Sequence, residues 1–230
     1  MEYMFQKPII IEFYGLPGSG KTAVSKALQQ KLEKVGASTM CYYQRCGFYR
    51  NAYSLLFAPN YWKKIAVVSA YASLLPGRHN ALRILSMINY FRMYRHFITD
   101  KPKDILLVDQ GIIQSIISLA HTDILPDLNH LNKIFEGEYL SGHQCFIVNC
   151  NLRKETAFDR IGTRPMNGCR MEKMTESDRM QALDAQAANI IYLRSFLKRV
   201  FPSTCLIDVN TEEPVEDSVN KIFSHITDFN

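Results

Sequence analysis

The chain has 230 residues, 47% hydrophobic and 21% charged, and 27 basic against 22 acidic residues give a net charge of +5. That composition builds one sizeable core and excludes a disordered polymer, and no run approaches the ~20 apolar residues that cross a bilayer. The mild positive balance suits phosphate handling and is too small to argue for a nucleic-acid surface.

The start, MEYMFQKPIIIEFYG, lacks a basic stretch leading into an apolar one with a cleavage site, so a cytoplasmic protein is expected. Its apolar run, interrupted by Glu12, reads as a first strand over 9–14. A helix follows over 21–35, with Ala23, Val24, Ala27, Leu28 and Leu32 on one side and Gly36 at its end. A second strand is expected over 39–43.

The stretch 51–99 reads as helices over 52–57, 61–75 and 80–97, broken at Pro59 and at Pro76-Gly77. Strand-like runs return at 105–108, 145–149 and 205–209. Helices are expected over 112–119 and 176–200, and Pro214 suits the start of a terminal helix. This alternation predicts a single α/β domain over 1–230 with a parallel sheet. The cysteines Cys41, Cys46, Cys145, Cys150, Cys169 and Cys205 form no C-x-x-C pair and are expected as reduced thiols outside any metal cluster.

Residues 15–22 read GLPGSGKT, a complete match to G-x-x-x-x-G-K-[ST], placed between a strand and a helix. Gly15, Gly18 and Gly20 admit turn conformations in which the N–H groups of a loop that includes Leu16, Pro17 and Ser19 converge on phosphate oxygens. The helix adds its positive N-terminal end to the same anion. Lys21 brings a point charge to the β- and γ-phosphates, and the Thr22 hydroxyl is placed for Mg²⁺. A nucleoside triphosphate ligand follows.

The run DILLVDQG puts Asp109 at the end of a strand, the place of a second magnesium group, although the same acid also suits capping of the next helix. The segment DRIGTRPMNGCR carries Arg160, Arg164 and Arg170, with Arg153 and Lys154 just before it. Pro165 and Gly168 break helical structure there, so the segment reads as a cationic loop, suited to closing over a triphosphate during phosphoryl transfer.

The motifs GLPGSGKT, LLVDQG, VNCNLRKETAFDRIGTR and LIDVNTEEPVEDSVNKI, taken in order, resemble the P-loop nucleoside and nucleotide kinases, the thymidylate kinase-like group in particular. The resemblance implies a three-layer sandwich, with a five-stranded parallel sheet between helices, a helical acceptor-side region at about 51–99 and a lid at about 160–175. It implies ATP and Mg²⁺ as cofactors, with Arg160 opening the lid and stacking on adenine, and Arg164 and Arg170 reaching phosphates. Asn210 and Thr211 would border the adenine.

On the acceptor side the chain departs from that group. Gln110 follows Asp109 where an arginine is usual, and the helix YWKKIAVVSAYASLL lacks the group's arginine for a nucleotide monophosphate. The position after the second strand reads Gln44-Arg45, so Gln44, Arg45 and Tyr49 are the acceptor candidates. Arg45 is either an acceptor contact or an ordinary surface arginine. The aromatics Tyr42, Tyr43, Phe48, Tyr49 and Tyr53 either stack a planar acceptor or fill the core. Arg92, Arg95 and His96 share a helix face, read more readily as solvated than as an anion site.

The sequence therefore supports ATP-dependent phosphoryl transfer to a small molecule, with a nucleotide or nucleoside first among acceptors. A sugar or antibiotic hydroxyl is the rival acceptor, and a slowly hydrolysing regulatory protein is the rival class. The sequence has no N-K-x-D segment to read guanine. No nucleic-acid or membrane partner is expected, and a homodimer is one open alternative for the assembly.

Overall fold

In the computed structural model of this chain, five apolar runs pair in parallel as one sheet. They are β1 (Ile9–Gly15), β2 (Thr39–Tyr42), β3 (Ile105–Val108), β4 (Gln144–Asn151) and β5 (Cys205–Asn210), in the order β2-β3-β1-β4-β5. The structure describes residues 8–42, 61–74, 81–99, 104–131, 144–163, 170–200 and 205–228. The expected helix at 52–57 lies outside them, as do Gln44, Arg45, Tyr49 and Arg164 and the side chain of Arg170.

Strand β1 is buried along its whole length, and its alternation divides the core. Ile9, Ile11 and Phe13 pack with Val24, Leu28 and Leu32 of α1 (Lys21–Lys34) and with Val219, Ile222 and Ile226 of α7 (Val215–Thr227). Ile10 and Tyr14 face the other layer, built from α2 (Trp62–Ser73), α3 (Ala81–Thr99), α4 (Ile112–Ala120), α5 (Lys154–Gly162) and α6 (Glu176–Val200). Each large aliphatic or aromatic side chain taken fully out of water there contributes about 1.5–3 kcal/mol. The three-layer sandwich expected from the sequence is the fold observed.

Local chemistry sets the helix ends. Lys31 and Lys34 stand in the last turn of α1, and Glu216 and Asp217 in the first turn of α7 behind Pro214, each sign complementing the helix dipole. Thr175 starts α6 by accepting the Asp178 N–H at 3.2 Å through its hydroxyl, which donates to the Asp178 carboxylate at 2.7 Å.

One reading is corrected here. The cationic segment does not begin as a loop: Arg160 lies in the last turn of α5, because Ala157 and Ile161, four residues apart, bury against the core and carry a helix between them. Arg153, exposed, and Lys154, half-exposed, pair with Glu212 at 2.8 Å and Asp184 at 2.5 Å, so they brace the start of α5 against the turn after β5 and against α6. The Glu212 carboxyl is held below its usual range by the hydrogen bonds from Arg153 and Thr156. Cys41, Cys145, Cys150 and Cys205 are free thiols, as expected.

Candidate active site

From β1 the chain runs to β2 and β3 on one side, then crosses to β4 and β5 on the other. Ligands of open α/β sheets bind at the carboxyl ends of the strands where the order reverses. Residues 15–22 occupy that place. Gly15, Gly18 and Gly20 all have positive φ, as the motif required. At Gly15 space is also decisive, because a Cβ would stand 2.6 Å from the Cys150 carbonyl oxygen of β4.

Lys21 is buried and folds over its own loop. Its Nζ donates to the Gly15 carbonyl at 3.0 Å, the Leu16 carbonyl at 2.8 Å and Ser19 Oγ at 3.3 Å. A buried ammonium needs acceptors, and the loop supplies them where phosphate oxygens would otherwise do so.

The pairing Glu12↔Val108 brings the end of β3 beside the loop, and Thr22 Oγ1 donates to Asp109 Oδ2 at 2.6 Å. Asp109 does not cap the following helix; Gly111 stands at that cap with no side-chain bond, so the capping alternative fails. Burial pushes the Asp109 carboxyl above the usual range, partly offset by the Thr22 hydrogen bond and by Lys21 and Lys26. Its Oδ1 is buried without a hydrogen-bond partner. A hydroxyl, a carboxylate and one unsatisfied carboxylate oxygen form the oxygen-only donor set that Mg²⁺ takes, with nucleotide phosphates and water completing it. Among the described residues no group of three or more His, Cys, Asp or Glu could hold a metal by itself.

Arg160 closes the other side. Its guanidinium donates to the Gly18 carbonyl at 3.4 Å and the Thr211 carbonyl at 3.1 Å, tying the phosphate loop to the turn after β5. The Thr211 hydroxyl and N–H both bond the Asn151 carbonyl, while Asn210 is exposed and holds the same turn through Glu212 N–H and Glu213. Arg160 thus reaches the turn that carries Asn210 and Thr211.

Several groups at the site were not singled out beforehand. Gln114 of α4 accepts the Gly15 N–H at 3.0 Å. Glu12, fully buried in β1, accepts the Ile113 N–H at 2.5 Å and the Tyr94 hydroxyl at 2.9 Å. The Tyr94 phenol is pushed well up by burial and by that carboxylate. Arg179 of α6 donates to the Met171 and Met174 carbonyls and lies over the Phe158 ring at 5.3 Å, fastening residues 171–174 to α5. The signals were a lone acid in an apolar strand and a lone amide in the apolar helix IIQSIISLA.

A Cβ at Gly111 would stand 2.3 Å from Glu12 Cδ and 2.5 Å from the Tyr94 hydroxyl oxygen. Gly111→Ala is therefore expected to destabilise the protein by about 1–3 kcal/mol through overpacking, read by urea denaturation.

No family model matches the chain, and no curated protein matches it. Solved structures do. Deoxyadenosine kinase from M. mycoides with bound dATP aligns at 14% identity and TM-score 0.55 over 95% of this chain and 99% of that one. The same enzyme with dCTP gives 13% and 0.53 over the same shares of the two chains. The chain shares the overall fold of these solved structures. The likeness is one of architecture: β1, its phosphate loop and the strand-end acid stand in a sheet of shared topology, while few side chains are shared at this identity. Among the described residues, no helix is long and apolar enough to cross a membrane.

Proposed function

We propose that this chain is a kinase that transfers the γ-phosphoryl group of ATP to a hydroxyl of a nucleoside, with a deoxynucleoside as the leading acceptor. The observation that carries the reading is the cluster of Lys21, Thr22 and Asp109 at the carboxyl ends of β1 and β3. The solved neighbours, whose structures hold deoxynucleotides, point the same way.

A nucleoside is preferred to a nucleotide acceptor on the chemistry of α2 and α3. Their buried described positions carry Val68, Tyr71, Met87, Asn89, Tyr90 and Tyr94 among others, and no cation, while Arg92 and Arg95 are exposed. Those aromatic and aliphatic side chains pack in the core, and with Gln110 after Asp109 and no arginine in 61–75 the chain offers no guanidinium there for a second phosphate, which suits an uncharged base and sugar better. Tyr42 meets Tyr90 edge to face at 6.3 Å and so joins β2 to the aromatic core. This departs from the thymidylate kinase-like expectation.

Phosphoryl transfer asks for positioning and charge neutralisation. Loop N–H groups and the N-terminus of α1 would bind the β- and γ-phosphates, and Lys21 would turn from the Gly15 and Leu16 carbonyls onto them. Thr22 and Asp109 would hold Mg²⁺, which when bound neutralises charge on the transferred group. Arg160 would flank the adenine beside Thr211, with Arg164 and Arg170 as the lid cations. Gln44, Arg45 and Tyr49 remain the proposed acceptor contacts.

ADP formation measured against deoxynucleosides, nucleoside monophosphates and sugars tests this. Stimulation by a nucleoside above background hydrolysis is expected; stimulation by a sugar alone, or by nothing, overturns it. Arg160→Ala, which removes two charge-assisted hydrogen bonds, is expected to raise the KM for ATP about tenfold or more with a smaller change in kcat, read by steady-state kinetics.

A further inference from the structure

Glu12 has no part in the phosphate or acceptor contacts above, yet it is the acid of an otherwise apolar strand and is fully buried. A carboxylate there costs stability unless fully satisfied, and an aliphatic residue of similar volume would be cheaper. Its two oxygens are committed to the Ile113 N–H in the first turn of α4 and to the Tyr94 hydroxyl of α3. The same turn of α4 carries Gln114, which holds the Gly15 N–H. Between β3 and this turn lie only Asp109, Gln110 and Gly111, and the Gly111 backbone rests on the Glu12 carboxylate too closely for any side chain.

We propose that Glu12 is a positioning residue: planted under the Asp109-Gln110-Gly111 turn, it fixes the distance between the magnesium carboxylate and the phosphate loop, and Tyr94 ties that distance to an acceptor-side helix. The device is a crossbrace. The partly positive end of α4 is drawn down onto Glu12 while Gln114 draws the loop toward α4, so Asp109 has one place to stand opposite Thr22. Glu12 is not a general base, because Tyr94 and Ile113 cover both its oxygens and no surface of it reaches solvent.

This inference rests on the kinase reading, and its test is a binding measurement that needs no turnover. ATP affinity is measured by calorimetry with magnesium and with EDTA for wild type, E12Q, E12L and Y94F. E12Q, which keeps the Ile113 N–H bond through its amide oxygen and can donate its NH2 group to the Tyr94 hydroxyl oxygen in place of accepting from it, is expected to retain the magnesium-dependent gain within about threefold and turnover likewise. E12L is expected to lose about tenfold of that gain, and Y94F about threefold, while the affinity in EDTA stays constant. An unchanged gain in Y94F, with only a lower melting temperature, overturns the inference and keeps Y94F informative should E12L fail to fold. A hundredfold loss of turnover in E12Q with magnesium binding intact also overturns it, making Glu12 the base. Wild type that binds no ATP in either buffer overturns the kinase reading itself and this inference with it.

Discussion

Lys21→Ala is expected to lower phosphoryl transfer at least about 10²-fold, the scale on which single preorganised charge donors act. ADP formation with the preferred nucleoside is the measurement, and wild-type turnover in the variant would place the chemistry elsewhere. The hydrogen bonds of the side chain add a second expectation. Its ammonium bonds the Gly15 and Leu16 carbonyls and Ser19, so the lysine also holds its own loop together. Alanine leaves those oxygens without their donor and is expected to destabilise the nucleotide-free protein by about 1–3 kcal/mol. Lys21→Arg keeps the charge but replaces a compact rotatable ammonium by a planar fork, and is expected to restore little activity.

The phosphate loop was legible because all its requirements are local. Backbone freedom, a cation and a hydroxyl must follow one another at fixed spacing, so eight consecutive letters carry them. Strands were legible for a related reason: β1 and β3, buried on both faces, read as short apolar runs that only Glu12 interrupts in β1, and their neighbours follow from the α/β alternation. The helical setting of Arg160 is hidden in the sequence because three arginines and a proline dominate the letters around it, while the buried pair Ala157 and Ile161 that makes a helix there stands out little. Glu12, Tyr94 and Gln114 escaped for a different reason. Their bonds span 101, 82 and 99 residues and follow no period, so only the sheet order and the register of β1 with β3 bring them together.

Asp109→Asn separates function from stability in opposite directions. Activity is expected to fall about 10²–10³-fold, since the variant keeps the shape of the side chain and loses the charge that would hold the cation. Stability is expected to hold or rise at neutral pH. The folded-state pKa of Asp109 is raised, with burial as the largest cause, so its ionised form is the one that folding disfavours. For a raised acid the folded state binds the proton more tightly than the unfolded chain. Its contribution is favourable below the unfolded value of ~4 and is lost as pH rises through the folded value. The amide escapes that loss, so Asp109→Asn should melt at or above wild type at pH 7, and the difference should shrink toward pH 4. Saturating MgATP should invert the order, because a ligand at a hundred times its dissociation constant stabilises wild type by about 2.7 kcal/mol and would bind the variant poorly. Melting curves at both pH values, with and without MgATP, read all of this. A variant that melts well below wild type without nucleotide would show that Asp109 serves the fold, with Thr22 as its structural partner.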